Sequence, residues 1–133
     1  MRVADLMQRD VKTVSEDATI AEAITVLVDA RVSGLPVVDG AGRIVGVIST
    51  TDVLEAEAET ADAEARERLF EATHVDELMS RQPRVIGPAA DLRSTARQML
   101  RQEVQRLFVE EDGVLVGVVS QTDIVRAVAT VQL

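Results

Sequence analysis

Ile44-Val45-Gly46-Val47-Ile48-Ser49-Thr50-Thr51-Asp52 is answered 71 residues later by Leu115-Val116-Gly117-Val118-Val119-Ser120-Gln121-Thr122-Asp123. In each copy an aliphatic, largely β-branched run interrupted by one glycine reads as a strand, and the Ser-x-x-Asp behind it has the spacing of a helix start. A second echo lies upstream: Val3-Ala4-Asp5-Leu6-Met7 returns as Val75-Asp76-Glu77-Leu78-Met79 at an offset of 72. The one-residue difference is absorbed where Asp39-Gly40-Ala41-Gly42 shortens to Glu111-Asp112-Gly113, a turn between strands that tolerates a deletion. The chain therefore contains two copies of one supersecondary unit.

Working outward, each copy repeats one pattern of elements. A short strand at Thr13-Val14 (Val85-Ile86 in the second copy) precedes an apolar stripe at Ile20, Ala23, Ile24, Leu27 and Val28. That i, i+3, i+4, i+7, i+8 spacing is one face of an amphipathic helix, and Thr19 with Glu22 supplies a capping box. Leu92, Thr95, Ala96, Met99 and Leu100 recur at the same spacing, with Asp91 as the N-cap. Residues 35–38 and 43–49, matched by 107–110 and 114–120, form hairpins, and a closing helix follows Ser49 and again Ser120. The fold class is therefore α/β of the α+β type: two β-α-β-β-α repeats, each too small to bury its own sheet well, packed as one pseudo-two-fold module.

Between the copies the composition changes. Residues 55–74 are rich in Ala, Glu and Arg and free of Gly and Pro, all strong helix formers. With Leu54, Ala58, Ala61, Ala65, Leu69 and Ala72 as a narrow apolar stripe, the expectation is one extended connector helix. The domain reading is repeat one over residues 1–54, connector over 55–74 and repeat two over 75–133.

Composition narrows the function classes. The 133 residues carry 14 Lys+Arg against 23 Asp+Glu, a net charge of −9, with 47% apolar and 2% aromatic residues. Such acidity opposes a nucleic acid polymer as partner, and Phe70 and Phe108 are too few for a base-stacking platform. The charge is local, however: residues 55–77 hold nine acids and two bases, a net of −7, leaving −2 for the rest. There is no cysteine and one histidine, His74, so no thiolate nucleophile, Ser-His-Asp triad or metal set is assembled, and no cofactor is expected. His74 reads as a helix-end residue, and the acidic connector as a solvated face. The longest apolar run, residues 114–119, is far below a membrane-spanning length, and the N-terminus has no signal pattern, so a cytoplasmic protein without a membrane partner is expected.

Asp5-Leu6-Met7, Ser33-Gly34-Leu35-Pro36-Val37-Val38-Asp39, Gly42 through Asp52 and their weaker echoes together resemble a tandem cystathionine-β-synthase (CBS) domain pair. The resemblance covers nearly the whole chain apart from the connector. It implies a regulatory module whose two clefts take adenosine-containing ligands such as AMP, ADP, ATP or S-adenosylmethionine, and which forms a flat homodimer.

The chemistry of the Ser-x-x-Asp turns can be argued separately. A carboxylate in the first helical turn, as at Asp52 and Asp123, can accept both vicinal hydroxyls of a ribose. Ser49 and Ser120 stand at the strand-to-helix junction, where hydroxyls and free N–H groups suit ligand oxygens. The alternative is that each pair only caps its helix. By resemblance, the cleft on Ser49 and Asp52 faces Gln105 and Arg106 with Arg84 nearby. The cleft on Ser120 and Asp123 faces Ser33 and Gly34 with Lys12 nearby. Val47 and Val118 flank the purine. On that grouping Arg106 gives the Asp52 cleft the stronger preference for phosphate, because its guanidinium is a fixed fork. Unit two departs from the family pattern where Phe108 replaces Pro36, and Phe108 is expected to pack in the core rather than fill the cleft or stack on a base.

The functional expectation is a small non-enzymatic energy or metabolite sensor, acting in trans on an effector protein. The alternative is a structural or protein-interaction pair that binds no ligand.

Overall fold

The computed structural model describes residues 1–131. Two three-stranded sheets and six α-helices form two compact units. One is continuous, Lys12–Pro83; the other is split, joining Met1–Val11 to the chain from Arg84 onward.

In the continuous unit, β1 (Val14–Ser15) runs parallel to β2 (Gly34–Val38), which pairs antiparallel with β3 (Ile44–Ser49). Helix α1 (Ile20–Ala30) connects β1 to β2, and α2 (Thr50–Ala58) follows β3 directly. Thr19 caps α1 as expected, its Oγ1 accepting from Glu22 N at 3.2 Å. Ile20, Ala23 and Leu27 of the α1 stripe are buried against Leu35, Val37 and Ile48 of the sheet, while Val28 at the stripe's edge is 67% exposed.

The split unit repeats this plan with β4 (Val85–Ile86), α5 (Leu92–Gln102), β5 (Arg106–Glu111), β6 (Val114–Ser120) and α6 (Gln121–Val131). Asp91 caps α5, and the fully buried Thr95 satisfies its hydroxyl by donating to Asp91 O at 2.7 Å. The shortened turn has positive φ at both Asp112 (53°) and Gly113 (84°), the requirement of a two-residue hairpin loop of matching twist. Phe108 does not pack in the core as expected. Successive strand residues face opposite sides, and burial of Leu107 and Val109 leaves Phe108 half-buried on the other face, opposite Val118.

The connector is helical but not one helix. α2 ends at Ala58 and α3 (Ala63–Ala72) starts afresh after Asp62, whose carboxylate accepts from Ala65 N at 2.8 Å. Thr60 also turns its hydroxyl back onto Ala56 O at 2.8 Å. Both side chains bond local backbone in competition with a continuing helix. The expected stripe is broken accordingly: Leu54 is 65% exposed, and Phe70 packs on the core instead. His74 is a helix-end residue as expected, at the N-cap of the short α4 (Val75–Leu78).

The first segment of each sequence repeat is exchanged between units. A 3-10 turn at Val3–Asp5 lies in the split unit, where Val3 N donates to Ala90 O and Gln8 exchanges two backbone hydrogen bonds with Val118 at 2.8 and 2.9 Å. Residues 75–80 lie in the continuous unit, where Ser80 exchanges two with Val47, both at 2.9 Å. Each compact unit thus draws its strap from the other sequence repeat. The reason is steric fit: a Cβ on Gly46 would stand 2.5 Å from Ser80 O and 2.7 Å from Met79 Sδ, and one on Gly117 would stand 2.7 Å from Met7 Sδ and 2.9 Å from Gln8 O. The glycine in each aliphatic strand is the notch that admits a methionine strap. No helix among the described residues is long and apolar enough to cross a membrane.

Two predictions follow from these contacts. Gly46→Ala and Gly117→Ala are expected to destabilise the protein by about 1–3 kcal/mol, since the added carbon meets backbone oxygen. Gly40→Ala, with nothing within 4 Å of the new Cβ, serves as the control, and equal urea midpoints for all three variants contradict the notch. At Asp91 the Ser94 N–H, donating at 2.7 Å, holds the carboxyl below its ordinary value of 3.8. Its contribution is therefore present above that value and is lost as pH falls through the lower folded one. The urea midpoint of the wild type should drop toward, or below, that of Asp91→Asn between about pH 6 and about pH 2; a difference constant with pH contradicts it.

Candidate functional site

Strand β3 delivers Ser49 to the N-cap of α2 in extended geometry (φ −121°, ψ 163°). Ser49 N donates to Asp52 Oδ2 at 2.8 Å, and Asp52 N donates to Ser49 Oγ at 3.1 Å. The end of β6 repeats this arrangement: Ser120 N donates to Asp123 Oδ2 at 2.9 Å, and Asp123 N to Ser120 Oγ at 3.1 Å. Each pair is thus a reciprocal capping box. Capping occupies Oδ2 only. A carboxylate has about four acceptor positions, so Oδ1 of each aspartate keeps its capacity, and each serine hydroxyl, having accepted, still has its hydrogen to donate.

The two turns differ in burial and charge. Asp123 is 8% exposed, whereas Asp52 is half-buried. Arg126 Nη1 stands 3.8 Å from Asp123 Oδ1, its own side chain 71% exposed. At the position corresponding to Arg126, the first copy has Glu55, an exposed acid.

The remaining expected site residues fall around these turns, unit by unit. In the continuous unit Gly34 lies in register with Ser49, Ser33 O accepts from Thr50 N at 2.9 Å, and Val47 lies opposite Pro36. Lys12 is exposed, two residues ahead of β1. In the split unit Arg106 lies in register with Ser120, Gln105 O accepts from Gln121 N at 2.9 Å, and Val118 lies opposite Phe108. Arg84, the counterpart of Lys12, has its carbonyl bonded to Phe108 N at 3.0 Å. Arg84, Gln105 and Arg106 are exposed; Val47 and Val118 are half-buried.

The grouping expected from the resemblance set Asp52 with Arg106, and Asp123 with Gly34. Within each unit, antiparallel pairing in the hairpin seats the entry of its first strand against the serine that ends its second.

Sequence reasoning missed Arg126. Its signal is its place three residues after Asp123 on the same helix, where residues i and i+3 are neighbours. The straps also went unread as part of the site, although Gln8 and Ser80 bond Val118 and Val47 two residues ahead of each serine; lone glycines in buried strands were the available sign.

Each unit also bears a shallow apolar groove. Ile24, Leu27, Val28, Val53 and Leu54 line one, and Ala96, Met99, Leu100, Ile124 and Val125 line the other. Position for position, these are repeat equivalents.

Comparisons with known proteins agree with this architecture. The chain is 31% identical over 124 residues, 93% of its length, to an uncharacterized protein of Methanocaldococcus jannaschii, of which it covers 41%. It is 36% identical over 126 residues, 90% of its length, to the gamma-3 subunit of 5'-AMP-activated protein kinase of Sus scrofa, covering 23% of that subunit. The chain therefore spans less than half the length of these curated relatives. Among solved structures, CBSX2 of Arabidopsis thaliana in complex with AMP matches with a TM-score of 0.80 at 28% identity, over 99% of this chain and 98% of that one. The family model for the CBS domain matches twice, over residues 3–59 and 75–130, and with both repeats accounted for, the chain belongs to the CBS domain family as a tandem pair.

Proposed function

We propose that this protein is a non-enzymatic regulatory module that binds adenosine-containing ligands at its two Ser-x-x-Asp turns and passes occupancy to an effector protein in trans. The observation that carries this reading is the recurrence, in both units, of an aspartate whose capping role leaves Oδ1 at a strand-to-helix junction. Family membership and the AMP complex of a similar structure support it. In this reading Asp52 and Asp123 accept ribose hydroxyls, Ser49 and Ser120 meet ligand oxygens, and Val47 and Val118 contact the purine. Arg84, Gln105, Arg106, Lys12, Ser33 and Gly34 line the rest, with the arginines taking phosphate. AMP, ADP, ATP and S-adenosylmethionine are the ligands to be tried, and the cytoplasm is the compartment where they are met.

A ligand at 100 times its dissociation constant adds about 2.7 kcal/mol to the folded state. A thermal-shift screen with these four compounds should therefore raise Tm by several degrees for at least one. The Asp52→Asn, Asp123→Asn double variant, which keeps an oxygen for each cap, should lose that shift. No shift with any compound, or an undiminished shift in the double variant, rejects the ligand reading in favour of a purely structural pair, to which the complete internal pairing of both capping boxes is also suited.

We also propose that the chain forms a homodimer through its paired grooves. Val28 and Leu54 in one unit and Leu100 and Val125 in the other are 65–73% exposed at repeat-equivalent positions. A single exposed apolar residue is ordinary, but clustered ones mark an interaction surface. Light scattering should give twice the 14.4 kDa chain mass, and Leu54→Glu with Leu100→Glu should return it to one. A monomeric wild type refutes the dimer.

A further inference from the structure

We infer that two copies of this chain pair unlike unit to unlike unit, the arginine row on α5 of one copy docking against the acidic connector helix α3 of the other. The inference rests on the proposed homodimer and names which face of one copy meets which face of the other.

The two rows are matched in length and opposite in sign. Arg93, Arg97 and Arg101 follow one another at i, i+4 and i+8 on α5, and all three are exposed. Glu64, Glu67 and Glu71 stand at i, i+3 and i+7 on α3, likewise exposed. At about 100° and about 1.5 Å per residue, each row keeps to an arc of under about 90° and runs about 11–12 Å, two helical turns. None of the six side chains forms an ion pair within the chain among the described residues, so both rows are open to an external partner.

Each row also borders an apolar groove. Leu100, which lines the split unit's groove, comes three residues after Arg97 and seven after Arg93, on the same side of α5. In the continuous unit α3 reaches the corresponding groove through Phe70, three residues after Glu67.

Charge then decides which faces meet. Helices α5 and α6 carry four arginines and one aspartate, a net +3, while α1, α2 and α3 carry eight carboxylates and two arginines, a net −6. Pairing either face with its own copy sets like charge against like, which opposes association; pairing the unlike faces joins opposite charges. The first copy has no substitute for the arginine row, since Ala21, Thr25 and Asp29 stand where Arg93, Arg97 and Arg101 do. A two-fold axis repeats the contact, because each chain supplies both faces. Exposed ion pairs add little affinity by themselves; the grooves supply the apolar burial and the charges select the partner face.

The chain has no cysteine, so Leu54→Cys and Leu100→Cys variants can be joined selectively with a short bismaleimide linker. Mixed, they should cross-link to each other; alone, neither should cross-link to itself. In sedimentation equilibrium, raising sodium chloride from about 50 mM to about 500 mM should weaken the dimer at least about threefold, because screening removes the opposite-charge attraction. A dimer of like faces would tighten instead. Arg93→Glu with Arg97→Glu, and separately Glu67→Arg with Glu71→Arg, should each weaken the dimer about tenfold. Mixing those two double variants should restore it, since both contacts of the mixed dimer again join opposite charges. All four positions are exposed, so the melting curves should stay near that of the wild type. Self-linkage of either cysteine variant at the level of the mixture, or a dimer that tightens with salt, overturns the unlike pairing while leaving the homodimer in place. A wild type that sediments at 14.4 kDa removes the homodimer, and this inference with it.

Discussion

Each sheet depends on the pairing of its third strand with a methionine strap from elsewhere in the chain. Strands β3 and β6 end their sheets, with the order β1-β2-β3 and β4-β5-β6, and an unpaired edge in a sheet whose opposite edge is only a two-residue strand would be weak and aggregation-prone. Ser80 closes the β3 edge through Val47, and Gln8 closes the β6 edge through Val118, two backbone bonds each. The strap also brings Met79 or Met7 into the core. A side chain at Gly46 or Gly117 would force the strap to shift, because its Cβ would stand under 3 Å from strap backbone oxygen. Because the paired valines lie two residues before Ser49 and Ser120, the same contact holds the strand ends that carry both Ser–Asp turns.

At those turns, helix capping and the proposed ligand contact share one group. Each aspartate anchors its own helix through Oδ2 and the serine backbone, which fixes the carboxylate's orientation before any ligand arrives. Pre-organisation of this kind lowers the ordering cost of binding. It also explains why capping and ligand recognition are not competing readings of Ser-x-x-Asp: they use different oxygens. The repeats then diverge around a shared scaffold. Arg106 against Gly34 at the hairpin entry and Arg126 against Glu55 on the helix differ in charge without altering the backbone of the turn.

Much of the fold was legible in the sequence because it is written in local patterns. The α1 and α5 stripes, their Thr19 and Asp91 caps, both hairpins and the one-residue shortening of the second turn follow from spacing and turn chemistry. Where propensity alone was followed, the reading was less complete. Residues 55–72 are rich in helix formers, yet Thr60 and Asp62 bond nearby backbone and split the segment in two. Phe108 has the bulk of a core residue, while strand alternation turns it to the other face.

The sequence by itself determined the duplication, the elements of each copy and the two Ser–Asp pairs, since each is a matter of residue type at short spacing. Tertiary structure decided which chain segment completes which sheet, and which residue at each hairpin's entry lies across from which serine. Those are long-range choices: the first depends on a methionine fitting a space that only a glycine in a distant strand leaves open, and the second on the register of an antiparallel hairpin, which sets Arg106 against Ser120 and Gly34 against Ser49.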